Sequence, residues 1–298
     1  MPKPAFTLDQ QIELLQERGM EFDNFKEAKH FLSNISYYRL AGYWWEMQED
    51  RIDHLFLEGS SFNDVIQLYN FDRQFRLIVF DAIERLEIAL RTKLIYHLSL
   101  KSGGLWYEDA SLFSKTKYHD EQLEKIREEV ERSKEEFIVK HKENHPNESP
   151  EAWKALEVVT LNTLSKQYEN LKDQLPEKSK IANEFGLYFH SDFSSWLRTT
   201  TYLRNLIAHH SRLWNRYIII KYSWPRSTST PILNYTPDNH QTRKIFPILS
   251  GILHMLNQVS PGHGVKLKLL ELFRNYPQTP LSKMGFPAGW DNQPIWRK

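Results

Sequence analysis

Arg204, Asn205 and His209 stand in a run, Trp196 to Arg216 (WLRTTTYLRNLIAHHSRLWNR), that holds no acidic residue, no Gly and no Pro. Its apolar residues recur at helical spacing, so the run reads as one long helix. At about 100° per residue, Arg198, Thr201, Asn205, His209, Arg212 and Arg216 fall within roughly one quarter of its circumference. Trp196, Leu203, Ile207 and Trp214 gather on the opposite side. A surface helix ordinarily carries Glu and Lys at (i, i+4) on its wet face. Arginines, an asparagine and a histidine without a carboxylate make instead a face for an anion, with phosphate the obvious candidate.

Such a face can serve metal-free RNA cleavage. A base must take the proton of the ribose 2′-OH, an acid must protonate the leaving 5′-oxygen, and a cation must hold the charge that grows on phosphorus. Histidine suits either proton transfer, and arginine suits the third role as a fixed bidentate cation. His209 is the proton-transfer candidate, Arg204 the phosphate clamp, and Asn205, one turn before His209, the group that orients it. Arg204 lies about 140° from His209 and converges only by reaching around the helix. Arg198, Arg212 and Arg216 would form a track for the RNA backbone. His210 competes with His209, but its angle turns it toward Leu203 and Leu206, as a packed core histidine. The plainer reading makes these residues structural donors, since a lone Arg-x4-His also arises by chance. Adjacent histidines diverge by about 100° and do not readily share an ion. With no HExxH, no phosphate-cradling Gly-rich loop and no nucleophile elbow, no metal or cofactor is expected.

The elements that must position these residues read as mainly α. The chain has 298 residues, 40% hydrophobic, with 39 basic and 38 acidic side chains, so nucleic-acid binding requires local segregation of charge. It has no cysteine, which excludes disulfides and thiolate chemistry. The start, MPKPAFTLDQQ, lacks a signal-peptide core, and no apolar run approaches the ~20 residues of a membrane span; a cytoplasmic protein without membrane contact is the expectation. Thr7 caps a first helix and Phe22-Asp23-Asn24 leads into a second. Tyr37 to Trp45 holds five aromatics around Gly42. They cement a junction between helices, or Tyr38 and Arg39 reach a nucleotide by stacking and phosphate contact; the sequence leaves both open. A helical run from Asn63 to Gly103 should bend or divide near Tyr69-Asn70. In it, Asp81–Arg85 and Glu87–Arg91 are supporting ion pairs, with Arg85 or Arg91 a possible contributor to the site's lining. Residues 118–142 read as one charged, solvated arm, a lid or partner-binding segment. Asp192 or Ser194 should cap the Arg204 helix, helices follow at about 241–258 and 264–275, and a Pro-rich tail straps the body. The organisation is one body: an aromatic junction at 1–57, a helical core at about 60–258, and a C-terminal helix and strap at 264–298.

The blocks SYYRLAGYWW (36–45), EGSSFNDVIQLYNFDRQFRLIVFDAIERLEIALRTKLIYHLS (58–99), AWKALEVVTLNTLSKQYENLK (152–172), TYLRNLIAHHSRLWNR (201–216) and KMGFPAGW (283–290) occur in an order that resembles Abi-type abortive-infection proteins, AbiD/AbiF-like. That family is placed in the HEPN superfamily, whose helical core carries an Arg-x4-6-His motif, matched here by Arg204 to His209 with Asn205 as the polar first intervening residue. The resemblance implies an all-α phage-defence protein that is, in many relatives, a metal-independent endoribonuclease. It also implies a homodimer with paired Arg204/His209 sets, products with 2′,3′-cyclic phosphate and 5′-hydroxyl ends, and association with a small structured RNA. Other HEPN proteins bind RNA without cutting it, which keeps a non-catalytic RNA-binding protein as the second expectation. A protein-interaction scaffold built on the charged arm is the third.

Overall fold

Helices take up most of the chain, as its 3.6-residue periodicity predicts, and among the described residues the only sheet has two strands. The computed structural model describes residues 4–297. They divide into two compact units, 4–77 with 269–280 and 78–268 with 281–297. Of the three crossings between them, 77/78 and 268/269 fall inside helices, where no linker marks them in the sequence, and 280/281 follows Pro280.

In the first unit, α1 (Leu8–Glu17) opens with a capping box: the Thr7 hydroxyl accepts from the Gln10 amide, and the Gln10 side chain accepts from the Thr7 amide. Asn24 caps α2 (Phe25–Asn34) and Ser36 caps α3 (Tyr37–Trp44). Strand β1 (Gln48–Asp50) pairs antiparallel with β2 (Leu55–Phe56), and α4 (Phe62–Ser102) follows. On α3, Tyr43 and Trp44 are buried and Tyr37 stands edge-on to Trp44, so this part of the aromatic cluster packs. The Tyr43 hydroxyl donates to Asp72 Oδ2 at 2.7 Å, and the same oxygen accepts from Arg76 Nε at 3.1 Å. Burial, with the Asp72 charge beside it, pushes the Tyr43 phenol above its ordinary range. A carboxylate this deep persists because it is both paired and hydrogen-bonded.

Helix α4 runs for 41 residues without interruption. Of the bend or division expected near Tyr69-Asn70, the division is absent, because the buried stripe continues through it: Val65, Leu68, Phe71, Phe75, Val79, Ile83, Leu86, Leu90, Leu94 and Leu98 recur every three or four residues. Gly103, at φ +81°, ends the helix.

The second unit continues with α5 (Thr116–Arg132), α6 (Glu136–Asn144), α7 (Ala152–Ala155), α8 (Leu161–Asn170), α9 (Pro176–Glu184), α10 (His190–Ala208), α11 (Ile245–Val259) and α12 (Val265–Asn275), the last passing into the first unit's segment. The expected single charged arm is two helices, broken at 133–135. It is not a solvated excursion either: α5 buries Leu123, Ile126 and Val130 and packs on α8. The sparse apolar residues of that stretch are spaced to form one narrow stripe, which the charge count hides. Arg91 of α4 donates to the carbonyls of Leu156 (2.9 Å) and Val159 (3.0 Å), clamping the turn that leads into α8. From α9, Glu184 accepts from Lys93 (2.6 Å) and contacts His97 Nε2 (2.9 Å) on α4.

Helix α10 packs against α8 and α9. It starts at His190, with no side-chain cap at Phe189; neither Asp192 nor Ser194 is the cap. Asp192 lies buried in the first turn, where a carboxylate suits the helix N-terminus, and accepts from the Arg226 amide at 3.0 Å. Trp196 is buried and fills the space beside Gly251 of α11, where a Cβ would stand 2.0 Å from the indole. The tail closes on α11 as a strap, with Trp296 Nε1 donating to Ser250 Oγ at 2.8 Å and its ring stacked on Phe246. Gly251→Ala should therefore overpack the helix that carries Arg204. A loss of about 2 kcal/mol, read as a lower urea midpoint with an unchanged slope, is the expected result.

Candidate functional site

The Arg204 helix ends earlier than its sequence suggests. Ala208 is its last residue and His209 its C-cap, followed by His210 in the left-handed region at φ +56°. The His210 amide donates to Ile207 O and the Ser211 amide to Leu206 O, both at 2.9 Å. These two bonds are a Schellman closure, with histidine where glycine is usual. Beyond it the chain is irregular, turns again at Asn215 (φ +49°), and buries Leu213, Trp214, Ile218 and Tyr222.

This ending takes apart the predicted six-residue anion face. Arg212 and Arg216 lie past the helix and do not share a face with Asn205. Arg212 sits over the Trp214 ring at 5.8 Å. Thr201 is buried, and its hydroxyl donates to Leu197 O at 2.8 Å, as Thr199 and Thr200 do to their own i−4 carbonyls. Arg198 is ion-paired with Glu169 of α8; the helix brings no acid of its own, but its neighbour supplies one. Tyr38 and Arg39 belong to α3 of the first unit, where Tyr38 is 86% exposed and edge-on to Tyr37 at 5.8 Å.

Of the three central residues, Arg204 and Asn205 meet, the guanidinium reaching Asn205 Oδ1 at 3.5 Å. Arg204 also lines a pocket of about 330 Å³ with Phe80, Glu84, Glu87, Ile88 and Arg91 of α4. Those five fall within about 100° of the α4 circumference, and Arg91 is the member already paired, to Glu87 at 3.1 Å. Of Arg85 and Arg91, only Arg91 lines this pocket; Arg85 is held by Asp81 at 2.8 Å. His209 is not among the lining residues. It is exposed, its amide donates to Asn205 O at 3.0 Å, and among the described residues its ring makes no hydrogen bond or ion pair. An uncommitted imidazole one turn from a guanidinium–amide pair can exchange protons with a bound phosphodiester, while the pair can hold its oxygens.

His210 departs from the expectation of a packed core histidine: it is exposed, because the closure turns it out of the helix. A further signal lay in plain sequence. From Phe193 to Pro237 there is no Asp or Glu, and from Phe193 to Leu270 Asp238 is the single acid against ten Lys and Arg. The positive charge therefore extends well past the helix. Among the described residues no group of three or more His, Cys, Asp or Glu is placed to hold a metal ion, and no helix is long and apolar enough to cross a membrane. Because His210 stands at a left-handed closure, His210→Val should be less stable than His210→Gly by about 1–2 kcal/mol, both variants having lost the imidazole. Thermal melts of the two variants check the sign of the difference.

No curated protein and no solved structure matches this chain. The model of the Abi-like protein family matches residues 30–215, a span that begins in α2 and contains Arg204, Asn205 and His209. With more than half of its length in that match, the chain belongs to the Abi-like family, and membership supports a role in abortive infection, the defence of a cell against phage.

Proposed function

We propose that the chain is a metal-independent endoribonuclease of the HEPN kind that acts in phage defence as a homodimer. The observation that carries this reading is the uncommitted, exposed His209 one turn from the Arg204–Asn205 pair, within a stretch of 45 residues free of acid. The ribose 2′-oxygen attacks the adjacent phosphorus as a base takes its proton, and the P–O5′ bond breaks as an acid protonates the leaving oxygen. The products are a 2′,3′-cyclic phosphate and a 5′-hydroxyl. His209 serves one proton transfer, Arg204 neutralises the phosphorane and Asn205 positions the imidazole or the phosphate.

One chain offers one such histidine, whereas the reaction needs both a base and an acid. A second copy supplies the other, which is the reason to propose a dimer. Phe80 and Ile88, exposed by 37% and 49% on α4 beside Arg204, are the apolar surface that such a partner would cover.

Purified protein should cut single-stranded RNA in EDTA and leave cyclic-phosphate ends. His209→Ala should slow cutting by about 10²–10⁴-fold with an unchanged melting temperature, while His210→Gly keeps activity. Equal cutting by His209→Ala would refute the assignment. RNA bound tightly but never cut would favour instead a non-catalytic RNA-binding defence protein using the same residues.

A further inference from the structure

The segment that follows α10 has features that the cleavage reading does not use. Residues 211–222 leave the helix with Ile218 and Tyr222 buried, while Tyr217 and Ile219, on the other side, are exposed by 53% and 65%. Tyr217 does not project at random. The Arg243 guanidinium lies over its ring, 5.6 Å from the centroid. That guanidinium is fixed in turn, with Nη1 donating to Ile218 O at 3.1 Å and Ile219 O at 2.6 Å, while the Ile218 amide donates to Arg243 O at 2.9 Å. Three hydrogen bonds thus fix Arg243, whose guanidinium lies over the Tyr217 ring at the surface.

The charge around this stack is unbalanced. Arg198 and Arg226 are neutralised by Glu169 and Asp192. Among the described residues, Arg216, Lys221, Arg243 and Lys244 have no carboxylate partner. Lys244 rests instead on neutral oxygens, Asn215 Oδ1 at 3.5 Å and the Lys283 carbonyl at 3.2 Å. A surface aromatic ring backed by guanidinium, with cations that have no carboxylate partner beside it or beside Arg243 in sequence, matches two needs of an unpaired nucleotide: a face for the base and counter-charge for the phosphates. A duplex meets only the second, because its bases are already stacked.

We propose that Tyr217, backed by Arg243 and flanked by Arg216, Lys221 and Lys244, is a docking platform for single-stranded RNA, on which one base stacks against the tyrosine ring. The proposal rests on RNA being the ligand of the reading above, and not on its being cut. It extends the interface beyond Arg212 and Arg216 to residues that the helix pattern did not select.

The test measures binding and not cleavage. Fluorescence anisotropy in EDTA follows a labelled oligouridylate of about a dozen nucleotides, with every variant placed on the His209→Ala background. Tyr217→Ala should raise Kd about tenfold, within the usual range for one lost base stack, while Tyr217→Phe keeps the affinity. A blunt RNA duplex of equal length should show no dependence on Tyr217. Lys221 is exposed and has no partner among the described residues, so Lys221→Gln will fold; it should lower the salt slope of log K by about 0.7. The platform is overturned if Tyr217→Ala with an unchanged melting temperature binds within twofold of its parent, if Tyr217→Phe loses as much as Tyr217→Ala, or if Lys221→Gln leaves the slope unaltered. Loss of the nuclease assignment would leave these Kd comparisons intact, so the two failures are separable.

Discussion

Burial of Leu213, Trp214 and Ile218 sets where α10 stops, and the candidate site takes its form from that stop. A fully buried large apolar side chain contributes roughly 1.5–3 kcal/mol, and the indole has more surface to hide than an aliphatic chain. Against this stand two non-glycine residues in the left-handed region, His210 and Asn215, at about 1–3 kcal/mol each. The helix end is not left bare, since the amides of His210 and Ser211 satisfy the carbonyls of Ile207 and Leu206. Leaving the helix at Ala208 is therefore the favourable course even without a glycine or proline to enforce it. His209 is left exposed at the cap, and the chain beyond alternates between core and solvent.

That balance also explains which parts of the structure were legible in the sequence. The back of α10 was readable from Trp196, Leu203 and Ile207, since three buried apolar residues at helical spacing leave little choice. The cap at Thr7 and the start of a second helix after Phe22-Asp23-Asn24 were readable for the same local reason. The helix end was not, because it follows from packing: Trp214 is buried on either reading, and only the folded chain shows that it is reached by a turn. His and Asn tolerate positive φ better than most residues, and His209-His210-Ser211 are weak helix formers, so faint signals were present. Thr201 misled because a hydroxyl looks polar on a wheel, whereas here it returns to its own helix at Leu197 O. The continuity of α4 was misjudged from length alone, although its buried stripe passes through Tyr69-Asn70 without a phase break.

The pairing of Arg198 with Glu169 lay beyond any single-helix reading. A wheel counts the charges on one helix, but the neighbours decide what those charges do. The same holds for Asp192, which a linear reading makes a cap and the fold makes the acceptor for the Arg226 amide. In both cases a carboxylate 29 to 34 residues away in sequence changes the role of a basic residue.

These pairings move the attraction for a polyanion along the chain. The pocket beside Arg204 holds Glu84 and Glu87 as well as Arg91, two acids against two cations, so it offers a phosphate backbone no net charge. Arg198 and Arg226 are cancelled as well. In a chain of formal charge +1, screened over about 8 Å at physiological salt, only a local excess can draw RNA in. That excess lies after the helix, at Arg216, Lys221, Arg243 and Lys244. On the proposed reading, capture and chemistry fall to different residues: the extended segment would supply the long-range attraction, and Arg204, Asn205 and His209, in a nearly balanced setting, would act on a single phosphate.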